Sequence, residues 1–238
     1  MSLRIATILA RAGSKGLPDK NVRPFLGEPM LALSVRQALR TRIFDCVAVS
    51  SDSEAYLDIA RDAGAQVLVR RPQEMANDSA TKLPGIRHAV EIAEATLGER
   101  FSVVADLAVT SPLRGDQDVV GAVRLLEESA APLVLSASIA KDNPYFNMLE
   151  TSETDRYALC KEPSERVSAR QAAPTVYALN GAVYVWRRRE LAQPNDRVVR
   201  PMLELYLMPE ERSLDVDSTV DFQIAEMMAQ KLRGEAHD

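Results

Sequence analysis

Ile5-Ala6-Thr7-Ile8-Leu9-Ala10-Arg11-Ala12-Gly13-Ser14-Lys15-Gly16-Leu17-Pro18-Asp19-Lys20-Asn21 is the stretch on which the reading of this chain turns. Its opening, from Ile5 to Ala10, is an apolar run of strand length, and a helical pattern begins only around Pro29. What lies between is a long loop leaving the end of a buried strand. Gly13 and Gly16 permit backbone conformations that other residues avoid and let a ligand come close to the main chain. Arg11, Lys15, Lys20 and Arg23 set four positive charges against one carboxylate, Asp19, in a chain whose formal net charge is −5. Such a loop offers a polyphosphate what it needs, backbone N–H donors together with point charges. A solvated basic surface loop is the competing reading. Two familiar phosphate loops are excluded by spacing. A P-loop needs Gly-Lys-Ser/Thr, but here Lys15 precedes Gly16 and Leu17 follows; Gly-x-Gly-x-x-Gly also fails, because Ala12 and Ser14 flank Gly13.

Beyond this loop, strand patterns over 46–50, 65–69, 101–107 and 132–138 alternate with helix patterns that begin near residues 30, 53, 83 and 116. That alternation predicts an α/β domain with a mostly parallel sheet. The helix beginning at Leu83 carries Leu83, Ile86, Val90, Ala93 and Leu97 on one face. Polar loops follow the strands: Ser50-Ser51-Asp52-Ser53, where Asp52 or Ser53 can cap a helix, then Arg70-Arg71-Pro72, then Thr110-Ser111-Pro112-Leu113-Arg114. From 141 to 174 the alternation lapses, and the segment reads as an arm inserted between 1–140 and 175–238. Segments 176–178 and 182–186 read as strands joined by a turn at Asn180-Gly181. A strand over 203–208 and a helix over 218–232, with Val220, Ile224 and Met227 inward, complete the chain.

The length of 238 residues fits one domain with a small appendage. Aromatic residues make up only 5%, too few for a base-stacking surface, and the acidic balance argues against duplex DNA or an anionic membrane as partner. Two cysteines, Cys46 and Cys160, lie far apart without metal-ligand spacing, and no signal peptide or membrane-length apolar run is visible. A reducing cytoplasm is the expected setting. With only His88 and His237, a histidine triad or histidine-rich metal site has little to draw on.

Asp215 and Asp217 stand two residues apart, and in extended backbone such side chains share a side. Two hard oxygen ligands on one side suit Mg²⁺ completed by substrate phosphates. The competing role for Asp217 or Ser218 is to cap the last helix. Beside the cationic loop the metal reading gains, and one reaction type fits. Arg11, Ser14, Lys15 and Lys20 cradle a nucleoside triphosphate, Mg²⁺ on the two aspartates neutralises the α-phosphate, a hydroxyl attacks in line and pyrophosphate leaves. Such chemistry rests on positioning and electrostatics rather than on a protein nucleophile.

The opening motif resembles that of the acylneuraminate cytidylyltransferases, the CMP-sialic acid synthetases, with Ala12 where that family usually has Gly. The resemblance continues through Val49-Ser50-Ser51-Asp52, Arg71-Pro72-Gln73-Glu74-Met75-Ala76-Asn77-Asp78, Thr110-Ser111-Pro112-Leu113-Arg114, Asn180-Gly181-Ala182-Val183-Tyr184 and Leu214-Asp215-Val216-Asp217, all in the family's order. It implies a three-layer nucleotidyltransferase fold, Rossmann-like, and a homodimer whose small arm, 141–174, reaches the partner's sugar pocket. It implies catalytic roles for Arg11, Lys20, Asp215 and Asp217, with Mg²⁺ on the two aspartates. Ser14 and Lys15 would contact phosphate, and Asn21, Arg71, Ala80 and Lys82 the nucleoside of CTP. Ser111, Arg114, Arg170, Asn180 and Tyr184 would serve the sugar acid. Asn143-Pro144-Tyr145-Phe146-Asn147, Thr81-Lys82-Leu83-Pro84 and Met208-Pro209-Glu210-Glu211 resemble the branch that activates legionaminic acid. At 108, where relatives carry Gln or Asp, stands Ala108, which cannot hydrogen-bond a sugar substituent. The expected activity is CMP transfer from CTP to a nonulosonic sugar acid. The alternatives are GTP or another keto-sugar acid on the same fold, and a non-catalytic nucleotide-sugar-binding module, against which Lys20, Asp215 and Asp217 count.

Overall fold

The structure is a computed structural model that describes residues 2–13, 16–75, 81–151, 156–162, 170–193 and 197–235. Seven strands form its main sheet: β1 (Arg4–Leu9), β2 (Cys46–Ser51), β3 (Val67–Arg70), β4 (Val103–Leu107), β5 (Leu133–Ile139), β6 (Tyr177–Arg187) and β7 (Glu204–Leu207). They lie in the order β7-β5-β6-β4-β1-β2-β3. Only β6 runs antiparallel to its neighbours, β4 and β5; the other pairs are parallel. The helices are α1 (Met30–Thr41), α2 (Glu54–Asp62), α3 (Lys82–Leu97), α4 (Asp116–Glu128), the short α5 (Arg188–Leu191) and α6 (Thr219–Glu235).

Strand periodicity sorts the core into two halves. Ala6 and Ile8 of β1 pack with Leu31 and Val35 of α1, Leu57 of α2, Val119 of α4 and Phe222 of α6. Ile5, one residue out of phase, packs with Leu83, Ile86 and Val90 of α3 on the opposite face. Helices therefore cover both faces, as a mostly parallel sheet requires, and each large aliphatic side chain fully buried contributes about 1.5–3 kcal/mol. Burial also pushes the Cys46 thiol up to about 11, which leaves it protonated and inert.

Three expectations are corrected. The segment read as two strands and a turn is the single strand β6, whose register against β5 shifts between Leu179 and Tyr184. Asn-Gly signals a glycine at positive φ, and here Gly181 (φ 68) uses it for a bulge within the strand. On α6, Val220, Ile224 and Met227 face outward, and Phe222, Ala225 and Ala229 face inward. Phe222 sets that rotation: it packs edge-on against Phe25 at 5.8 Å and lies 5.1 Å from the Arg23 guanidinium. Leu97, in the last turn of α3, is exposed just before Gly98 ends the helix.

Segment 141–174 connects the antiparallel neighbours β5 and β6, and its base is closed by the Ala140 N–H on Val176 O at 2.9 Å. Asn143 organises the first turn: its side chain donates to Pro174 O and accepts from Tyr145 N–H, each at 2.9 Å. Further out, Leu149–Glu150 pairs antiparallel with Ala158–Leu159, leaving Leu149 and Tyr157 exposed.

Gly181 supplies the first test. A Cβ there meets nothing within 4 Å, so Gly181→Ala adds backbone strain without a clash. It should cost about 1–2 kcal/mol, the penalty of left-handed backbone for an L-residue. Thermal unfolding should show Tm falling by at least about 2 °C; an unchanged Tm contradicts the account of the bulge.

Candidate active site

The sheet order reverses at β1: β2 and β3 lie to one side of it and β4 to the other. Loops leaving the strands at such a point diverge and open a crevice. A cavity of about 290 Å³ lies there, lined by Leu9 and Arg11 after β1, Arg71 after β3, Ala108, Val109 and Thr110 after β4, Lys82 from α3, and Lys20, Asn21, Asp215 and Asp217.

The first loop is held at several points. Asp52 accepts the Ala12 N–H at 2.9 Å, so it anchors this loop instead of capping α2. Asn21 Nδ2 donates to Arg11 O at 2.9 Å. Asp19, at φ 52, accepts from the Tyr56 hydroxyl at 3.2 Å. Burial and this carboxylate push Tyr56 up to about 12. The glycines divide their work: Gly13 sits at φ 71 in open space, whereas a Cβ on Gly16 would lie 2.5 Å from Asp217 O. Gly16 thus admits protein backbone, and the loop closes onto the segment bearing the two aspartates.

Lys20 Nζ reaches Asp217 Oδ1 at 2.6 Å. Asp217 itself does not cap α6. Ser218 Oγ accepts the Asp221 N–H at 3.2 Å, while the Asp221 carboxylate accepts the Ser218 N–H at 2.8 Å, a capping box that leaves Asp217's carboxylate to the cavity. Desolvation raises the Asp215 pKa, with the Asp217 carboxylate adding to the rise and Lys20 and Lys82 opposing it.

Two further cations are braced from below. Arg71 donates Nη2 to Ser50 O at 2.6 Å and Nε to Ser50 Oγ at 3.1 Å, and burial lowers its pKa. Lys82 Nζ stands 3.6 Å from Asp106 Oδ2 and 5.9 Å from the Tyr184 ring centroid. Asp106 is 1% exposed, accepts from Thr7 Oγ1 at 3.2 Å, and sits between Thr7 and Tyr184 in register. Leu9 and α3 approach closely because residue 85 is glycine; a Cβ there would lie 2.9 Å from Leu9 Cδ2.

The cavity therefore gathers Arg11, Lys20, Asn21, Arg71, Lys82, Asp215 and Asp217 from the residues expected in the site. Ser14, Lys15 and Ala80 lie outside the described residues, as does the side chain of Arg170, whose backbone opens the short 3-10 turn Arg170–Ala172. Four others, Ser111, Arg114, Asn180 and Tyr184, do not line this cavity. Arg114 is buried, donating to Ala108 O, Ala182 O and Gln37 Oε1, each at 2.8 Å. Burial lowers its pKa to about 10, so it remains cationic. Ser111, 2% exposed, lines a separate cavity with Gln37 and Leu113 on the far side of the loop. Asn180 bonds Ser136, Ser213 and Met208. Tyr184 is mostly buried behind Lys82. Sequence reasoning missed Asp52 as an anchor and Asp106 as the carboxylate beneath the cavity. A carboxylate inside the apolar run 103–107 was the available signal for the second.

A mostly parallel three-layer sheet with cations and paired carboxylates at its switch point defines a nucleotidyltransferase. Residues 5–195 match the cytidylyltransferase family, and the chain belongs to that family. It is 33% identical, over all of both chains, to a post-translational flagellin modification protein B of Campylobacter coli. It is 33% identical to a CMP-N,N'-diacetyllegionaminic acid synthase of Campylobacter jejuni, over 94% of each chain. An N-acylneuraminate cytidylyltransferase of Escherichia coli is 32% identical over 95% of this chain and 52% of its own. The fold is shared with a CMP:2-keto-3-deoxy-manno-octonic acid synthetase solved with CTP, with a TM-score of 0.67, 16% identity, and 97% of this chain and 100% of that one covered.

The contact at Gly16 generates the second test. In Gly16→Ala the new methyl group must push the first loop away from Asp217, because the obstructing atom is backbone. A displacement of this size should lower kcat about 10²-fold. Retention of the parent kcat, measured by pyrophosphate release, overturns the close-approach argument.

Proposed function

We propose that this enzyme transfers CMP from CTP to the anomeric hydroxyl of a nonulosonic, sialic-acid-like sugar acid and releases pyrophosphate. The observation that carries this reading is the meeting of Arg11 and Lys20 with Asp215 and Asp217 around one cavity at the sheet's switch point. The names of the Campylobacter and Escherichia relatives support the sugar-acid class. In this reading Arg11 and Lys20, with Ser14 and Lys15, hold the triphosphate, and Asn21, Arg71, Ala80 and Lys82 address the nucleoside. Arg170 and Tyr184 belong to the sugar-acid side. Arg114 and Asn180 act indirectly, by fixing the main chain at Ala108 and Ala182.

Asp215 and Asp217 fit Mg²⁺: both carboxylates line the cavity, and the residues beside them are cations that suit the phosphates completing such a site. Among the described residues no cluster of three or more His, Cys, Asp or Glu competes for it. Bound there, Mg²⁺ supplies charge neutralisation at the α-phosphate. The sugar hydroxyl oxygen bonds the α-phosphorus as the bond to pyrophosphate breaks, and Asp217 accepts the hydroxyl proton. Lys20 balances charge on the departing pyrophosphate.

The apolar side chains exposed along the sheet end and arm, Ile139, Leu149, Tyr157, Tyr177 and Leu207, support a homodimer built through 141–174. The domain is then 1–140 with 175–238. No helix among the described residues is long and apolar enough to cross a membrane, and the reading places the enzyme in the cytoplasm.

Pyrophosphate release with CTP, GTP, UTP and ATP, each crossed with several sugar acids, tests the reaction. CTP with a nonulosonic acid should be turned over far faster than any other pair; preferred use of GTP overturns the cytidylyl assignment in this chain. Light scattering tests the assembly. A particle of about twice the 26.2 kDa chain mass is expected, and a fully active monomer at micromolar concentration contradicts the role given to the arm.

A further inference from the structure

Asp215 and Asp217 stand on a stretch of irregular backbone between the 3-10 turn Glu210–Arg212 and α6. Such backbone does not fix side-chain positions by itself, so its anchors decide where the carboxylates stand. On the α6 side the Ser218–Asp221 capping box does this. On the other side the anchor is Arg212. Its Nε and Nη2 donate to the two oxygens of Asp118 at 2.9 and 3.1 Å. Asp118 is completely buried, and the same carboxylate accepts the Gly115 N–H at 2.8 Å, so it is fixed to the first turn of α4. A guanidinium seated on a carboxylate by two parallel bonds fixes direction as well as distance.

The anchor is carried toward Asp215 by contiguous contacts. Ser213 Oγ donates to Pro209 O at 2.8 Å and accepts from Asn180 Nδ2 at 3.0 Å. Immediately beyond Asp215, Val216 is fully buried and its N–H donates to Thr110 O at 2.8 Å. Asp215 is thus the cavity-facing residue between two clamps, Ser213 on one side and Val216 on the other.

We propose that Arg212, seated on Asp118, is a positioning residue for Asp215: it sets the place of the metal-binding carboxylate without touching substrate or metal. The inference rests on the reading of Asp215 and Asp217 as the Mg²⁺ site. Partners that orient metal ligands typically change metal affinity about 10–100-fold when lost. A purely structural pair would instead affect stability and leave metal affinity alone.

Two variants separate these roles. Arg212→Lys keeps the charge but replaces the fork with a point donor. The double variant Asp118→Asn with Arg212→Met removes the buried charge together with its partner, so no unpaired ion is left in the interior. Mn²⁺ binding in the presence of CTP, followed by electron paramagnetic resonance, is measured beside Tm and CTP affinity without metal. Asp215→Asn serves as the reference. Mn²⁺ affinity should fall about tenfold or more in the double variant and less in Arg212→Lys. Metal-free CTP affinity should hold, and raised Mg²⁺ should recover turnover. Unchanged Mn²⁺ affinity in both Arg212 variants, with Asp215→Asn weakened, overturns the positioning role alone. Unchanged affinity in Asp215→Asn overturns the metal reading and this inference with it.

Discussion

Lys20 and Asp217 are 197 positions apart in the chain and 2.6 Å apart in space, and the arrangement of the site depends on that approach. The ion pair cannot hold it unaided. Asp217 is largely exposed, and such a pair contributes no more than about 1 kcal/mol. The approach is imposed by what surrounds it: Gly16 leaves room for the Asp217 carbonyl, Asp52 and Asn21 fix the first loop, and buried Val216 fixes the second segment on Thr110. The pair is a consequence of the fold and reports on its geometry.

That geometry is bought with buried charge. Asp106, Asp118, Arg71 and Arg114 are each at most 7% exposed, and an ion in such a place destabilises the fold unless every part of it is bonded. Each is bonded, and Asp106, Arg71 and Arg114 brace the cavity wall. Arg114 ties the end of β4 at Ala108 to β6 at Ala182. Arg71 ties the loop after β3 to Ser50 at the end of β2. Asp106 sits under Lys82. These charges brace loops that have no regular hydrogen bonding of their own, as a cavity at strand ends demands.

The sequence makes the frame legible because its signals are local. The apolar run at Ile5, the helical stripe from Leu83 to Ala93 and the polar loops after strands each report their own element. Asp215 and Asp217 are likewise found from their spacing, and both line the cavity. What fails is whatever depends on a distant partner. Asn180-Gly181 announces a glycine at positive φ but not whether a turn or a bulge will use it. Val220, Ile224 and Met227 have helical spacing, yet Phe222 with its partner Phe25 decides the buried face. Nor does the sequence show which polar residues beside a strand end, such as Thr110, Ser111 and Arg114, reach the cavity. Only the packed structure shows that the chain turns at Thr110, leaving Thr110 on the cavity and Ser111 behind it.

The charge pattern also bears on how the proposed substrates arrive. Lys20 is engaged by Asp217, and Lys82 by Asp106. Of these acidic partners, Asp106 is buried and fixed by Thr7, whereas Asp217 faces the cavity. Lys82 can therefore meet an incoming anion while keeping its partner, but Lys20 has to share or leave its own. A bare triphosphate drawing Lys20 away would leave Asp217 facing added negative charge, a repulsion that grows as water is excluded. A triphosphate that brings its divalent cation exchanges both contacts at once: phosphate oxygen replaces carboxylate on Lys20, and the cation replaces the ammonium at Asp217. On the proposed reading the ion pair neutralises Lys20 and Asp217 against each other, and a triphosphate carrying its divalent cation suits the cavity better than a bare one.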